Sequence, residues 1–362
     1  MTDREIAILA AKQFNSDEIT YIEPYGSGHI NSTWLSVHKS ADGKEVKNLM
    51  QKISTVAFKK PDELMENIVG VTTFLRDKVD EDGTLTVIPT LDGKNFYVDE
   101  WNNYWRVYKF IDNATAYQQI ENDNDFYTCG LAFGEFQQML AEYPAEKLHE
   151  TIVNFHNTPS RFADFKKALA EDKMGRAKDV QPEIDFVLAH ECKADAITSK
   201  LESGEIPYRV THNDTKLNNI LIDDATGKAK CVIDLDTVMP GSLLYDYGDS
   251  LRFGASSGAE DEKDLDKIYF DLDLFEAYTK GFLEELGESI TKREVELLPF
   301  SARLMTYECG IRFLADYLNG DTYFKIHYPE QNLDRCHTHI KLIADMEAKD
   351  EQMKAIVAKY YK

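Results

Sequence analysis

Apolar and polar positions along this chain follow two different rhythms, and the change between them falls near residue 113. The first stretch, "MTDREIAILAAKQF", places Ile6, Leu9 and Ala10 at helical spacing behind early acidic residues, which predicts a surface helix. Short β runs follow over 18–25, 32–38 and 46–53, the last two joined by a turn centred on Asp42-Gly43. A helix is predicted over 60–79, with Pro61 near its start and Leu64, Ile68 and Val71 on one face. Strands return over 84–89, 94–100 and 103–112, with a second Asp-Gly turn at 92–93. This order makes a mostly antiparallel sheet with a single helix, not a βαβ ladder.

Beyond residue 113 the periodicity is helical over 123–143, 159–173, 181–205, 272–287, 291–319 and 331–360. One β interruption, "ILIDDATGKAKCVIDLD", lies among these helices, and no repeat or low-complexity tract occurs. The pattern predicts an α+β, bilobal chain. A small antiparallel β-rich N-lobe would span 1–112, a larger mainly helical C-lobe 113–362, and a cleft would separate them.

Composition narrows the function. The chain has 362 residues, 43% hydrophobic and 29% charged, which suits a soluble globular protein of two lobes. Its net charge of −23 is a poor match for nucleic acid or an anionic membrane, so neither is expected as a partner. An acidic protein that binds phosphates must gather cations or a divalent metal at one spot. Five scattered cysteines with no CxxC pair argue for reduced thiols and a cytoplasmic location. The N-terminus lacks an apolar signal core, and no run of about 18 apolar residues is long enough to span a membrane.

The segment "THNDTKLNN" (211–219) stands out because it has no hydrophobic periodicity. A short apolar run leads into it and a hairpin leaves it, folding Asn219 back towards Asp234. A loop Asp, a strand-entry Asn and a strand-exit Asp are then expected to converge. Phosphoryl transfer needs such a set: one Asp to orient or deprotonate a hydroxyl, and an Asn and an Asp to hold Mg²⁺ on nucleotide phosphates. Asp236 could supply another carboxylate, because alternate residues of a strand share a face. The spacing H-x-D-x4-N over His212, Asp214 and Asn219 is that of the protein-kinase catalytic loop, which makes the predicted fold protein-kinase-like. Lys216, two residues after the Asp, could reach the transferred phosphate. Alone, the spacing also fits a polar turn; the hairpin and "VIDLD" at the right distance favour the enzyme.

A second phosphate element is "YGSGHIN" (25–31), with Gly26, Ser27 and Gly28. It runs from strand into strand, which suits a loop covering phosphates, although a plain hairpin turn has the same signature.

At the level of whole segments, the chain resembles the kinase-like small-molecule phosphotransferases, the superfamily of aminoglycoside and choline kinases. Within it the match is with bacterial N-acetylhexosamine 1-kinases, through "IEPYGSGHIN", "FHNTPSRFADFKKALAEDK", "RVTHNDTKLNNIL", "IDLDTVMPGSLLYDYGDSLRFGAS", "ELLPFSARLMTYECGIRFLADYLNGD" and "IKLIADMEAK". The resemblance implies ATP-dependent phosphorylation of the anomeric hydroxyl of N-acetylglucosamine or N-acetylgalactosamine, with Mg²⁺. It implies Asp214 as catalytic base, Asn219 and Asp234 as Mg²⁺ ligands, and sugar contacts from His29, Asp214, Arg312 and Tyr323. Without it, Arg312 reads as an i,i+4 partner of Asp316, and Tyr323 as a core aromatic.

Adenine would lie against "VYKFIDN" (107–113), including Lys109 and Ile111, with backbone groups doing the recognising. Kinase folds also carry a Lys on the third strand paired with a helix Glu. Lys52 with Glu63 or Glu66 are the candidates, though strand parity leaves Gln51 or Lys52 facing the phosphates. The partners expected are ATP and a small sugar, and a monomer is the working expectation. The alternatives are a kinase of an amino alcohol or aminoglycoside, and a non-catalytic nucleotide sensor.

Overall fold

The computed structural model describes residues 1–26, 30–118 and 122–361. Ser27, Gly28 and His29, assigned above to nucleotide and sugar, lie outside the described residues. The chain forms two compact units. The first comprises Met1–Thr115, Glu146–Ile152 and Leu221–Met239; the second comprises Ala116–Ala145, Val153–Ile220 and Pro240–Lys362.

The first unit opens with α1 (Asp3–Ala11), β1 (Glu18–Pro24), β2 (Ser32–Lys39), β3 (Glu45–Ile53) and α2 (Pro61–Arg76). Short strands β4 (Val87–Ile88) and β5 (Tyr97–Val98) precede β6 (Tyr104–Lys109). The sheet runs β1-β2-β3-β6-β4 with β5 also on β6, and the pairings are antiparallel as the pattern predicted. A capping box between Thr2 and Glu5 starts α1. The helix buries Ala7, Ala10 and Ala11 against Ile22, Trp34, Met50, Trp105 and Val107. Strand β4 is shorter than the expected 84–89 because the Arg76 guanidinium takes the Leu85 carbonyl (2.8 Å) and Thr86 Oγ1 (2.7 Å) instead.

Helix α2 buries Leu64, Ile68 and Val71, the face expected. It also buries Asn67, whose amide joins three distant pieces of chain. Its Oδ1 accepts the His149 N–H (2.8 Å), and its Nδ2 donates to the carbonyls of His149 (2.8 Å) and Val238 (2.9 Å). Those bonds fasten 146–152 and 221–239 to the first unit. After β7 (Ala114–Thr115), the later strands are β8 (Arg209–Thr211), β9 (Ile220–Asp223), β10 (Ala229–Val232) and β11 (Met239–Gly241). Strands β10, β9 and β7 make a small sheet of their own.

The second unit holds α3 (Asp123–Met139), α4 (Thr158–Glu171), α5 (Gln181–Ala189), α6 (Thr198–Ser203) and α7 (Leu243–Gly254). It continues with α8 (Leu272–Leu286), α9 (Lys292–Asn319), α10 (Gln331–Ala348) and α11 (Asp350–Tyr360). Two expected helices are broken. The 181–205 helix stops because His190 Nδ1 takes the Phe186 carbonyl (2.8 Å), the acceptor its own helical N–H would use. The 331–360 helix breaks at Lys349, whose ammonium turns to the Phe270 carbonyl and Asp345. No helix among the described residues is long and apolar enough to cross a membrane.

Helices α3 and α8 meet backbone to backbone through Gly130, Gly134 and Gly281. A Cβ on Gly281 would stand 2.4 Å from the Tyr127 carbonyl oxygen, and one on Gly130 would stand 2.3 Å from that of Tyr278. Alanine gains about 1 kcal/mol of helix propensity over glycine, but overpacking against backbone costs roughly 1–3 kcal/mol or more. Gly281→Ala is therefore expected to lower the urea midpoint. An unchanged or higher midpoint would contradict the close approach.

Candidate active site

The catalytic-loop candidate leaves β8 at Thr211 and is built on one buried carboxylate. Asp246, in the first turn of α7, accepts the N–H of His212 (2.9 Å), the N–H of Asn213 (2.7 Å) and Gln137 Nε2 (2.6 Å). Burial pushes the Asp246 carboxyl above its usual range, against the opposing pull of His212 and these donors. Asn213 adopts a left-handed backbone (φ 65°), which Asn tolerates better than most residues and which turns successive N–H groups towards Asp246. His212 packs edge-on against Phe133 and Phe136. His212 is thus a buried strut, and the group presented by the loop is Asp214.

Asp214 is half-buried. Its Oδ1 pairs with Lys216 Nζ at 2.6 Å, and Asn219 Nδ2 donates to its carbonyl (2.8 Å) and its Oδ2 (3.0 Å). Three of the expected site residues are therefore brought together. Because Asn219 uses its NH₂ on Asp214, its Oδ1 is the atom left to act as a donor to a cation. Burial alone would lower the Lys216 ammonium, but Asp214 and Asp249 outweigh it and raise the pKa. Asp249 shares α7 with Asp246; burial would raise its carboxyl, yet Arg252, His156 and Lys216 hold it low.

In the first unit, the turn after β10 separates two carboxylates that the sequence grouped together. Asp234 is exposed and left-handed (φ 59°, ψ 56°). Asp236 was expected as a further metal ligand; instead it is 3% exposed and fully engaged. Its Oδ1 pairs with Arg106 NH2 (2.6 Å), and its Oδ2 accepts from Asn31 Nδ2 (2.6 Å). Arg106 also donates through Nε (2.9 Å) and NH2 (2.7 Å) to Gln51 Oε1. Gln51 and Arg106 are register partners across β3 and β6, so Gln51 shares the face that meets Asp236. Lys52, next along β3, belongs to the opposite face.

The expected Lys–Glu pair is absent among the described residues. Lys60 takes Glu63 (2.7 Å), and His149 Nε2 takes Glu66 (2.6 Å). Gly26 ends the described part of the glycine stretch with φ 75°. Lys109 turns to Glu81 (2.6 Å) and Asp82 (3.1 Å), and Ile111 is buried.

The acceptor candidates lie on α9 and the loop after it. Asp316 is not the partner of Arg312. Its carboxylate accepts the backbone N–H groups of Thr322, Tyr323 and Phe324 and the Asn332 amide, all at 2.9 Å. It thereby shapes the loop that carries Tyr323, which is 71% exposed rather than a core aromatic. Arg312 reaches Tyr323 Oη (3.4 Å) and lies over the rings of Tyr323 and Phe324. A second arginine, missed in the sequence, stands near it. Thr158 Oγ1 on α4 donates to Glu308 Oε2 on α9 (2.7 Å), and one turn along from this bond come Arg161 and Arg312. His156 Nδ1 holds the other Glu308 oxygen (2.9 Å). Burial, then the charge of Arg312, pull the Arg161 guanidinium below its usual range.

One further group of potential metal ligands, Glu260, Cys309 and His339, has donor atoms within 4.8 Å of one another. Arg252 (3.2 Å) and Arg335 (3.5 Å) already pair with Glu260, so the cation there is a guanidinium. His339 Nδ1 donates to the Arg335 carbonyl (2.7 Å), and burial pulls its pKa down to about 4. An unfolded His titrates near 6.5, so between about pH 6.5 and pH 4 the unfolded chain binds the proton more readily. Stability is thus expected to fall by about 2 kcal/mol from pH 7 to pH 5 through this residue, and His339→Asn to flatten that slope. Equal slopes in urea melts of the two proteins would refute the assignment.

An Asp–Lys–Asn loop anchored on a buried carboxylate, with an antiparallel sheet followed by helices, defines a kinase-like phosphotransferase. The sequence profile of the phosphotransferase enzyme family matches residues 22–280, and the chain belongs to that family. Solved structures share the fold. A microcompartment-associated aminopropanol kinase is 18% identical with a TM-score of 0.61, over 97% of this chain and 99% of its own. An aminoglycoside phosphotransferase from Alicyclobacillus acidocaldarius is 12% identical with a TM-score of 0.63, over 97% and 96%. A spectinomycin phosphotransferase, solved with ADP and spectinomycin, is 14% identical with a TM-score of 0.57, over 97% and 99%.

Proposed function

We propose that this protein is an ATP- and Mg²⁺-dependent kinase of a small hydroxylated molecule. The observation that carries this reading is Asp214, held by Lys216 and Asn219 on a loop fixed to Asp246. In this role Asp214 orients the acceptor hydroxyl and takes its proton, and Lys216 stabilises charge on the phosphate in transfer. The donor chemistry suits the metal: Asp234 of the first unit has an exposed carboxylate and Asn219 of the second an amide oxygen, each a hard ligand of the kind Mg²⁺ takes. When bound, Mg²⁺ would neutralise phosphate charge. Because the transition state is loose, most of the rate is expected from positioning and electrostatics.

For the acceptor, our reading is an N-acetylhexosamine phosphorylated at its anomeric hydroxyl. Its support is the motif resemblance over 308–323 and two arginines, Arg161 and Arg312, on the acceptor side. Such a wall favours oxygen acceptors and repels an ammonium group. The structural neighbours favour the other reading, an amino alcohol or aminoglycoside, since they are named for such acceptors; at 12–18% identity they share a fold. ATP consumption over a panel of sugars, amino alcohols and aminoglycosides, followed by ³¹P–¹H correlation on the product, separates the two. Turnover confined to the amines would sink the sugar assignment, and a phosphate coupled to C6 protons would sink the anomeric one.

Arg312→Ala is expected to raise the acceptor KM at least about tenfold, since an unpaired buried polar contact costs roughly 1–3 kcal/mol. The ATP KM should stay within a few-fold. An unchanged acceptor KM would remove Arg312 from the site.

A further inference from the structure

Between Asp214 and Lys216 stands a residue that the mechanism leaves unused. Thr215 is 1% exposed, and α7 holds both its side chain and its carbonyl. Its Oγ1 donates to the Asp246 carbonyl (2.7 Å), and its own carbonyl accepts from Ser250 Oγ (2.8 Å). Ser250 in turn accepts from Tyr278 Oη on α8 (2.8 Å). A hydroxyl has one proton to give, so the chain runs one way, from Tyr278 through Ser250 to the loop. Burial holds the Tyr278 phenol well above its usual range, which keeps it a donor. Tyr278 is itself fixed, because α3 approaches its carbonyl closely at Gly130.

These bonds decide where two side chains point. The Lys216 N–H donates back to the Asp214 carbonyl (3.1 Å), so residues 214–216 make a three-residue turn with Thr215 at its apex. The Asp214 and Lys216 side chains meet at 2.6 Å, while that of Thr215 turns inward to α7. Asp246 and Ser250, four residues apart, share the face of α7 that grips the loop. We propose that Thr215 and Ser250 are positioning residues that lock this turn and so aim the Asp214 carboxylate and the Lys216 ammonium at one point. The inference rests on the reading of Asp214 as the base and Lys216 as the phosphate contact. Thr215 and Ser250 are 1% and 2% exposed, so they act through the turn and not on the acceptor.

The test is steady-state kinetics of the full chain with Mg-ATP and whichever sugar or amine of the panel above it turns over fastest. Thr215→Val keeps the shape and loses the bond to Asp246. It is expected to lower kcat at least about tenfold with both KM values within about threefold, since misplaced reacting groups burden the chemical step. Thr215→Ser keeps the hydroxyl and should hold kcat within about threefold of the unaltered protein. In an Asp214→Asn background, Thr215→Val should cost less than about twofold more, because groups that act as a unit are not additive. Ser250→Ala withdraws the donor to the Thr215 carbonyl and should follow the same pattern; it decides should Thr215→Val fail to fold. Lowered melting temperatures with kcat within about twofold, or an undiminished loss in the Asp214→Asn background, would show a merely structural network and overturn the proposal alone. Near-normal turnover in Asp214→Asn itself, or no turnover of any acceptor by the unaltered protein, would overturn the kinase reading and the proposal with it.

Discussion

Asp214→Asn is expected to lower kcat by about 10²–10⁴-fold, the range for loss of a positioned base. The substitution keeps the shape of the side chain and its hydrogen-bonding reach to Asn219. It removes the charge that pairs with Lys216 at 2.6 Å. Asp214 is half-buried and the loop hangs on Asp246, so the variant should fold. Nucleotide affinity should move little, because in the proposed role the carboxylate serves the acceptor hydroxyl. Single-turnover measurement at saturating acceptor reads the chemical step directly. Near-normal turnover in the variant would mean that another group takes the proton.

Loss of Asp234 is expected to be as severe and different in kind. Turnover should be abolished, and nucleotide binding should weaken when Mg²⁺ is present but not when it is absent, since in the proposed role the carboxylate acts through the ion. The choice of variant matters here. At φ 59°, alanine would add a backbone cost of about 1–3 kcal/mol, whereas asparagine tolerates the left-handed region. Asp234→Asn is therefore the sharper probe. Equal weakening with and without Mg²⁺ would point to a damaged turn rather than a lost ligand.

Much of this was legible along the chain because it is local. His212, Asp214, Lys216 and Asn219 lie within one loop, and their spacing together with the following hairpin and "VIDLD" marked it as the candidate. The alternation of the first three strands and the apolar face of α2 were equally plain. What escaped depends on distant partners. Asp246 stands 34 residues from the His212 amide it accepts, on a helix buried on nearly every side. Arg161 acquires meaning only when α4 meets α9. Gln51 and Lys52 are both polar, so parity could not be chosen until Arg106 was seen opposite Gln51. Asp316 has an arginine at i−4, yet its carboxylate is taken by three backbone N–H groups of a following loop.

The amide of Asn67 sets a timetable for synthesis. Its two acceptors belong to residues His149 and Val238, and the stretch between them, Val153–Ile220, belongs to the other unit. When a ribosome has released residues 1–115, the sheet is made but the amide has no partner, and the turn that bears Asp234 does not yet exist. The first unit is completed only after residue 239 emerges, so its maturation waits on more than a hundred residues of later chain. Unlike a domain that finishes from one contiguous stretch, the first unit waits for chain that follows part of the second. A nascent chain stalled before residue 238 would hold an unfinished first unit for a chaperone to guard.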